Sequence, residues 1–138
     1  MGQKTHPIGF RLIVNKNWSS NWYADKSFAA ELEEDVKIRK YIQHRMPNAG
    51  ISRVDISRTS KIITVTIHTA RPGIVIGKGG EEVNRLKEEM NQLTEKGVQI
   101  NISEVKRPEL DAALVGANIA HQLLKKISYR RVVNKAIQ

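Results

Sequence analysis

A glycine-rich segment between an apolar strand and a periodic helix constrains the fold of this chain more than any other feature. Residues 62–68 alternate apolar and polar side chains, and Pro72 ends this strand because it cannot donate to a sheet ladder. The apolar run at residues 74–76 is too short for another strand between such breaks. We therefore predict a single helical turn that starts at Pro72.

The turn that follows spans Gly77–Gly80, and Lys78 carries its only side chain. Its glycines can adopt positive φ and let a bulky ligand approach the backbone. A helix comes next, predicted to end at Gly97, because apolar residues recur at steps of three, four and three at Val83, Leu86, Met90 and Leu93. The turn thus lies at a helix N-terminus, where N–H groups and the helix dipole attract phosphate.

Two nucleotide-binding motifs do not fit this turn. The phosphate loop of NTPases needs Lys-Ser/Thr after its last glycine, whereas Gly80 is followed by Glu81 and Glu82. The dinucleotide fingerprint needs another glycine spacing directly after a strand. Gly-x-x-Gly between two helices resembles instead the loop by which KH domains hold single-stranded nucleic acid. We expect the carboxylates of Glu81 and Glu82 to point sideways, away from such a ligand.

The charge distribution also indicates a polyanionic partner. The 138 residues include 23 basic and 14 acidic ones, a net charge of +9, and eight of these nine charges lie in residues 1–24 and 125–138. Basic ends on a nearly neutral body are typical of nucleic-acid binding, although a merely soluble basic protein is the alternative.

Composition predicts no metal, cofactor or membrane span. Cysteine is absent, so disulfides, zinc thiolates and a thiol nucleophile are excluded. The four histidines show no close ligand spacing, and no apolar run approaches twenty residues.

The remaining elements follow from periodicity. A helix is predicted from Asp25 or Ser27 to about Arg45, strands at residues 51–58, 62–68 and 98–105, and a final helix from Pro108. The first helix should face inward with Phe28, Leu32, Val36, Ile38, Ile42 and Met46. The final helix should pack through Leu110, Leu114, Ala117, His121, Leu124 and Ile127, with His121 half-buried.

Residues 1–24 have no sustained period and are predicted to form a basic arm. Trp18, Trp22 and Tyr23 could stack on RNA bases or pin the arm to its own domain, and pinning is favoured because large aromatics more often anchor. His6 could contact phosphate beside Lys4 and Arg11. On the first long helix, Lys40 and Arg45 are weaker RNA candidates.

Collinear motifs along the whole chain resemble the bacterial form of small-subunit ribosomal protein three. They are Met1-Gly2-Gln3-Lys4, His6–Leu12, Trp22-Tyr23-Ala24, Thr69–Gly80, Ile100-Asn101-Ile102, Pro108–Ala112 and Tyr129-Arg130-Arg131. This resemblance implies an α+β fold, a type II KH domain with the order helix, strand, strand, helix, Gly-x-x-Gly, helix, strand, plus an N-terminal basic arm and an extra C-terminal helix. It divides the chain into an arm (1–24), the KH domain (25–105) and a C-terminal helix with a basic junction (106–138). The family has a second α/β domain, which would begin where this sequence stops, as in a fragment or a truncated member.

The resemblance further implies a non-catalytic constituent of the small ribosomal subunit in the cytoplasm. Its partners would be ribosomal RNA of the head, messenger RNA near the entry channel and neighbouring head proteins, with no membrane and no small-molecule substrate. In this family an Arg-Arg-x-x-Lys cluster lines the messenger path. Arg130 and Arg131 match it, but Asn134 stands at the lysine position and Lys135 follows one residue later, about 100° around a helix. The RNA-binding candidates are Lys4, His6, Arg11, Arg71, Gly77, Lys78, Gly79, Gly80, Lys106, Arg107, Arg130, Arg131 and Lys135.

Two alternatives belong to other functional classes. A free-standing KH regulator of single-stranded RNA would share the loop but would not need the extended basic arm. A nucleotide hydrolase is disfavoured, since the sequence has neither a phosphate-loop lysine motif nor a nucleophile with a base.

Overall fold

The computed structural model describes residues 2–94 and 96–138, in which a four-stranded sheet packs one face against helices. Short 3₁₀ turns occur at Pro47–Ala49, Lys78–Gly80 and Pro108–Leu110. The elements in chain order are α1 (Pro7–Phe10), β1 (Ser20–Asn21), α2 (Phe28–Arg45), β2 (Ile51–Arg58), β3 (Ile62–Thr69), α3 (Pro72–Ile76), α4 (Glu81–Leu93), β4 (Gly97–Glu104), α5 (Ala112–Leu124) and α6 (Tyr129–Ile137).

The strand order β1-β2-β3-β4 places the glycine-rich turn inside a crossover connection. β2 and β3 form the predicted antiparallel hairpin, whereas β3 and β4 run parallel over eight registered pairs. Parallel neighbours need a crossover, and here it consists of α3, the turn and α4.

The core lies on one face of the sheet and is aliphatic. Ile56 pairs with Val65, which pairs with Ile100, so one row of β-branched side chains crosses three strands. The opposite face of β3 carries the partly exposed Thr64, Thr66 and His68. The buried apolar residues in contact with one another are Ile38, Ile42, Met46, Ala49, Val54, Ile56, Ile63, Val65, Ile67, Val75, Leu86, Met90 and Val98.

The predicted inward face of α2 is correct only in its second half. Ile38, Ile42 and Met46 are buried, but Phe28, Leu32 and Val36 are 53%, 42% and 42% exposed. The reason is Asp35, which is fully buried one turn before Ile38 and occupies the inward position. Its carboxylate accepts hydrogen bonds from Ser20 Oγ (2.8 Å), Trp22 Nε1 (2.8 Å), Arg58 Nε (2.8 Å) and Arg58 Nη2 (2.6 Å).

The Asp35 network attaches the N-terminal arm to the domain. Trp22 donates to Asp35, packs against Phe28 with ring centroids 5.4 Å apart, and lies 5.7 Å from the Arg58 guanidinium. Pinning is therefore confirmed for Trp22, whereas Trp18 and Tyr23 are 66% and 91% exposed. The arm also contributes β1, which pairs in parallel with β2.

α4 ends earlier than predicted. Its last residue is Leu93, Thr94 is extended, and Gly97 begins β4 rather than ending the helix. The hydroxyl of Thr94 lies 3.1 Å from the Met90 carbonyl oxygen, and the Val98 N–H donates to Asn91 Oδ1 at 2.8 Å. The Asn91 side chain thus ties the end of α4 to the beginning of β4.

The C-terminal segment differs from the predicted single helix. Pro108 begins a 3₁₀ turn, and α5 starts at Ala112 because the Asp111 carboxylate caps it, accepting from the N–H groups of Ala113 (3.0 Å) and Leu114 (3.3 Å). The predicted packing stripe is largely exposed: Leu110 and Leu124 are 76% and 81% exposed.

His121 and α6 are two further corrections. The prediction of a half-buried His121 is wrong, since this residue is exposed on α5. A second C-terminal helix, α6, was not predicted, and it buries Val132 almost completely.

Candidate nucleic-acid interface

The turn between α3 and α4 has the backbone conformation that its glycines predict. Gly77, Gly79 and Gly80 have φ values of 72°, 62° and 83°, a region that side chains rarely occupy. Gly80 is the N-cap of α4, and within the described part of the chain no side chain caps this helix start. The backbone N–H of Glu81 donates to the Lys78 carbonyl, so an external acceptor at the beginning of α4 would use the N–H groups that follow it.

The three glycines serve different structural purposes. A Cβ at Gly77 would lie 2.7 Å from Glu82 Cγ and 2.8 Å from Glu82 Cβ, so the packing of the loop against α4 requires glycine there. A Cβ at Gly79 or Gly80 would meet no atom of the described residues within 4 Å. The outer part of the loop is thus open, bare backbone, and Lys78 is exposed beside it.

Arg71 precedes α3, the short helix that leads into this loop. The backbone N–H of Arg71 donates to Thr69 Oγ1 at 3.0 Å, and the buried Thr69 hydroxyl donates in turn to the Ala49 carbonyl at 2.6 Å. These bonds fix the end of β3 and leave the Arg71 side chain exposed at the N-cap of α3.

The acidic residues after the loop are not equivalent. Glu81 is exposed, whereas Glu82 is half-buried and turns its carboxylate toward two arginines. Glu82 Oε2 lies 3.4 Å from Arg45 Nη2, and Glu82 Oε1 lies 3.9 Å from Arg85 Nη1. The sideways orientation expected from sequence thus has a physical cause at Glu82, and its relation to bound RNA stays a prediction.

Arg45 belongs to a second contact between α2 and α4. Tyr41 donates its hydroxyl to Glu89 Oε2 at 2.7 Å, and Arg45 Nε lies 3.4 Å from the same oxygen. The hydrogen bond to Glu89 raises the pKa of the Tyr41 phenol, and the same bond lowers the pKa of the Glu89 carboxyl. The two helices are therefore joined by side-chain contacts in the second half of α4.

The arm candidates lie on and around α1. His6 Nδ1 accepts from the Gly9 N–H at 3.3 Å, and Arg11 donates to the Pro7 carbonyl at 3.0 Å while its guanidinium lies 6.0 Å from the Phe10 ring centre. Lys4, His6 and Arg11 are all exposed.

The C-terminal candidates are exposed as well. Lys106 and Arg107 lie between β4 and the following 3₁₀ turn. Arg130 donates to the Tyr129 hydroxyl at 3.2 Å, and its guanidinium lies 5.8 Å from that ring. Lys135 lines a groove of about 930 Å³ whose wall also includes Arg71, so the structure brings these two sequence candidates to one surface depression.

Sequence reasoning missed the part that Tyr41, Glu82 and Glu89 take at this interface, and it treated Arg45 only as a weak RNA candidate. No local signal could have found this group, because its members come from two helices with 35 residues between them, α2 ending at Arg45 and α4 beginning at Glu81. Within residues 2–94 and 96–138, no cluster of three or more His, Cys, Asp or Glu could hold a metal ion. Among the described helices, none is both long and apolar enough to span a membrane.

A family model for the KH domain matches residues 37–110, which is more than half of the chain and includes the loop. Similar proteins named small ribosomal subunit protein uS3 occur in Cytophaga hutchinsonii (60% identity over 99% of this chain) and Salinibacter ruber (54% identity over all of it). A third, from Syntrophomonas wolfei, is 54% identical over 99% of this chain. The matched regions cover 54%, 58% and 60% of those three proteins, so the chain spans somewhat more than half the length of these curated relatives.

These matches confirm two predictions from the sequence. The resemblance to small-subunit ribosomal protein three is confirmed by relatives that align with nearly the whole chain. The α+β, type II KH fold is confirmed by the family match together with the observed order α2, β2, β3, α3, loop, α4, β4.

Proposed function

This chain belongs to the KH domain family, and on that premise we propose that it is a non-catalytic, RNA-binding constituent of the small ribosomal subunit. The observation that carries the proposal is the loop itself, with three positive-φ glycines at a helix start that has no side-chain cap among the described residues and open space outside Gly79 and Gly80. A phosphate of single-stranded RNA would accept from the backbone there, with Lys78 and Arg71 supplying positive charge.

Within this proposal the basic ends of the chain have separate tasks. Lys4, His6 and Arg11 on the arm, and Lys106 and Arg107 after β4, would contact ribosomal RNA of the subunit head. Arg130, Arg131 and Lys135 would face messenger RNA near its entry, beside neighbouring head proteins. Support comes from the exposure of these side chains and from the names of the relatives.

The first experiment tests the loop with the double variant Lys78→Asp/Gly79→Asp. Its matched control, Ser60→Asp/Lys61→Asp, makes the same change of charge in the exposed turn between β2 and β3. A charge-assisted hydrogen bond is worth about 1.5–3 kcal/mol, so the loop variant should bind a labelled single-stranded RNA at least about tenfold more weakly than the control. Fluorescence anisotropy at several salt concentrations would measure this.

Folding should survive in the loop variant. Asp at Gly79 meets open space, and Asp tolerates the left-handed conformation at a cost of about 1–2 kcal/mol. Losing one phosphate contact should also lower the slope of log affinity against log salt by about 0.7. Equal affinity of the loop variant and the control would show that the loop is not the contact.

The second experiment tests the ribosomal assignment. The tagged chain should sediment with small subunits from a cell lysate, and the copurified RNA should be that of the small subunit even at raised salt. A pool that carries messenger RNA alone and is stripped by salt would favour a free-standing KH regulator instead.

A further inference from the structure

We infer that Arg45 is a positioning residue for the RNA clamp, by which we mean the loop Gly77–Gly80. It holds the Glu82 carboxylate to the side, so that a phosphate at the loop meets backbone N–H groups without competition from Glu82. The inference rests on the proposed function and adds a residue that lies outside the loop. It also replaces the earlier interpretation of Arg45 as a direct RNA contact.

The side chain of Glu82 lies close to the loop. The Glu82 side chain occupies the space next to Gly77 so fully that a Cβ at that glycine would lie only 2.7 Å from Glu82 Cγ. The carboxylate therefore starts immediately beside the clamp, and its direction decides how strongly its negative charge opposes phosphate binding. A carboxylate in the first turn of a helix interacts favourably with the positive end of the helix dipole. An incoming phosphate would use the same positive end, so the two anions compete for it.

Arg45 sets the direction of the Glu82 carboxylate. Arg45 Nη2 lies 3.4 Å from Glu82 Oε2, and Arg45 Nε lies 3.4 Å from Glu89 Oε2, so one guanidinium joins both carboxylates. Glu89 is itself fixed by the Tyr41 hydroxyl at 2.7 Å. Arg85 adds only a longer contact to Glu82, at 3.9 Å. Arg45 is thus anchored on α2 and holds the Glu82 carboxylate toward that helix.

The contact between Arg45 and Glu82 should contribute little to the stability of the fold. The side chains of Arg45 and Glu82 are each 38% exposed, and ion pairs this exposed contribute little to the free energy of folding. Removing Arg45 should therefore leave the fold intact while releasing a negative charge next to the clamp. The loss should appear in RNA affinity and not in the unfolding midpoint.

The test is a double-mutant cycle of Arg45→Gln and Glu82→Gln, measured as affinity for the same labelled single-stranded RNA. We expect Arg45→Gln alone to weaken binding about three- to tenfold. In the Glu82→Gln background, the same substitution should change affinity less than twofold. Arg45→Lys should retain most of the affinity, and Lys37→Gln, which removes an exposed charge on the same helix, serves as the control.

Two results would overturn the inference. If Arg45→Gln weakens binding by the same factor with or without Glu82, Arg45 contacts RNA directly. If Arg45→Gln binds like Lys37→Gln, its position does not matter. Both outcomes are distinguishable from failure of the proposed function, because that failure would appear as full RNA affinity in the Lys78→Asp/Gly79→Asp variant.

Discussion

Replacing Asp35 by Asn should destabilise the domain more than any other single-atom exchange at this network. Oδ1 of Asp35 accepts two N–H groups of Arg58, and Oδ2 accepts from Ser20 and Trp22, so donors face both oxygens. An Asn amide must turn its NH₂ group toward one of these pairs of donors. At the same time Arg58, whose side chain is 2% exposed, loses a buried counter-charge.

The size of the effect follows from these contacts. Breaking a buried ion pair by removing one partner costs about 3–5 kcal/mol. Glu34 still accepts from Arg58 Nη1 at 2.7 Å and is 29% exposed, so the lower end, about 3 kcal/mol, is expected. Burial alone would lower the pKa of Arg58, but the hydrogen bonds and charges of Glu34 and Asp35 outweigh it and raise that pKa in the wild-type protein. Arginine is not deprotonated in proteins, so the guanidinium stays charged when Asp35 is replaced.

Urea unfolding followed by circular dichroism would measure the loss. With slopes of about 1–3 kcal/mol per molar urea, the midpoint should fall by about 1 M or more. The matched control is Glu33→Gln on the same helix, whose pair with Lys37 is exposed and should contribute little to the free energy of unfolding. A loss below about 1 kcal/mol for Asp35→Asn, at unchanged slope, would refute the reasoning.

Two further predictions concern the loop and the start of α5. Gly77→Ala should lower the free energy of unfolding by at least about 2 kcal/mol, because the new Cβ would collide with Glu82 at a φ of 72°. The control is Gly73→Ala in α3, whose Cβ would meet no atom of the described residues within 4 Å, so this change should be neutral or stabilising by up to about 1 kcal/mol. Urea unfolding midpoints compare the two variants. Asp111→Ala should cost about 1 kcal/mol at pH 7. The hydrogen bond from Ser52 lowers the pKa of Asp111, so this stabilisation is present above the unfolded pKa of about 3.9 and is lost as the pH falls through the folded value. Urea unfolding at pH 7 and pH 3 should therefore show the difference between wild type and variant shrinking in acid, and a constant difference would contradict it.

The sequence predicted the hairpin, the short helix α3 and the loop because each depends on neighbouring residues. Alternating β-branched residues and the break at Pro72 bound these elements locally, and the positive φ values follow from glycine alone. The Gly-x-x-Gly motif then placed the candidate site.

The elements that were missed depend on partners far away in sequence. Asp35 is buried because Trp22 and Arg58 meet it from the arm and from β2, which no periodicity in α2 reveals. α6 begins at Tyr129 after Ser128, whose side chain makes no capping hydrogen bond, and the helix is held by the burial of Val132. The Arg45 contact to Glu82 is long-range for the same reason. The division of the chain at residues 24 and 105 stays a prediction.

The bare backbone of Gly79 and Gly80 has a consequence for selectivity. A surface made of N–H groups and one lysine offers phosphate contacts but no side chain that could distinguish the edge of one base from another. An RNA strand bound there would be recognised by its backbone conformation and the spacing of its phosphates, and not by its base sequence. Such a loop can bind RNAs of different sequence, provided that each is single-stranded and its backbone can bend to fit the loop.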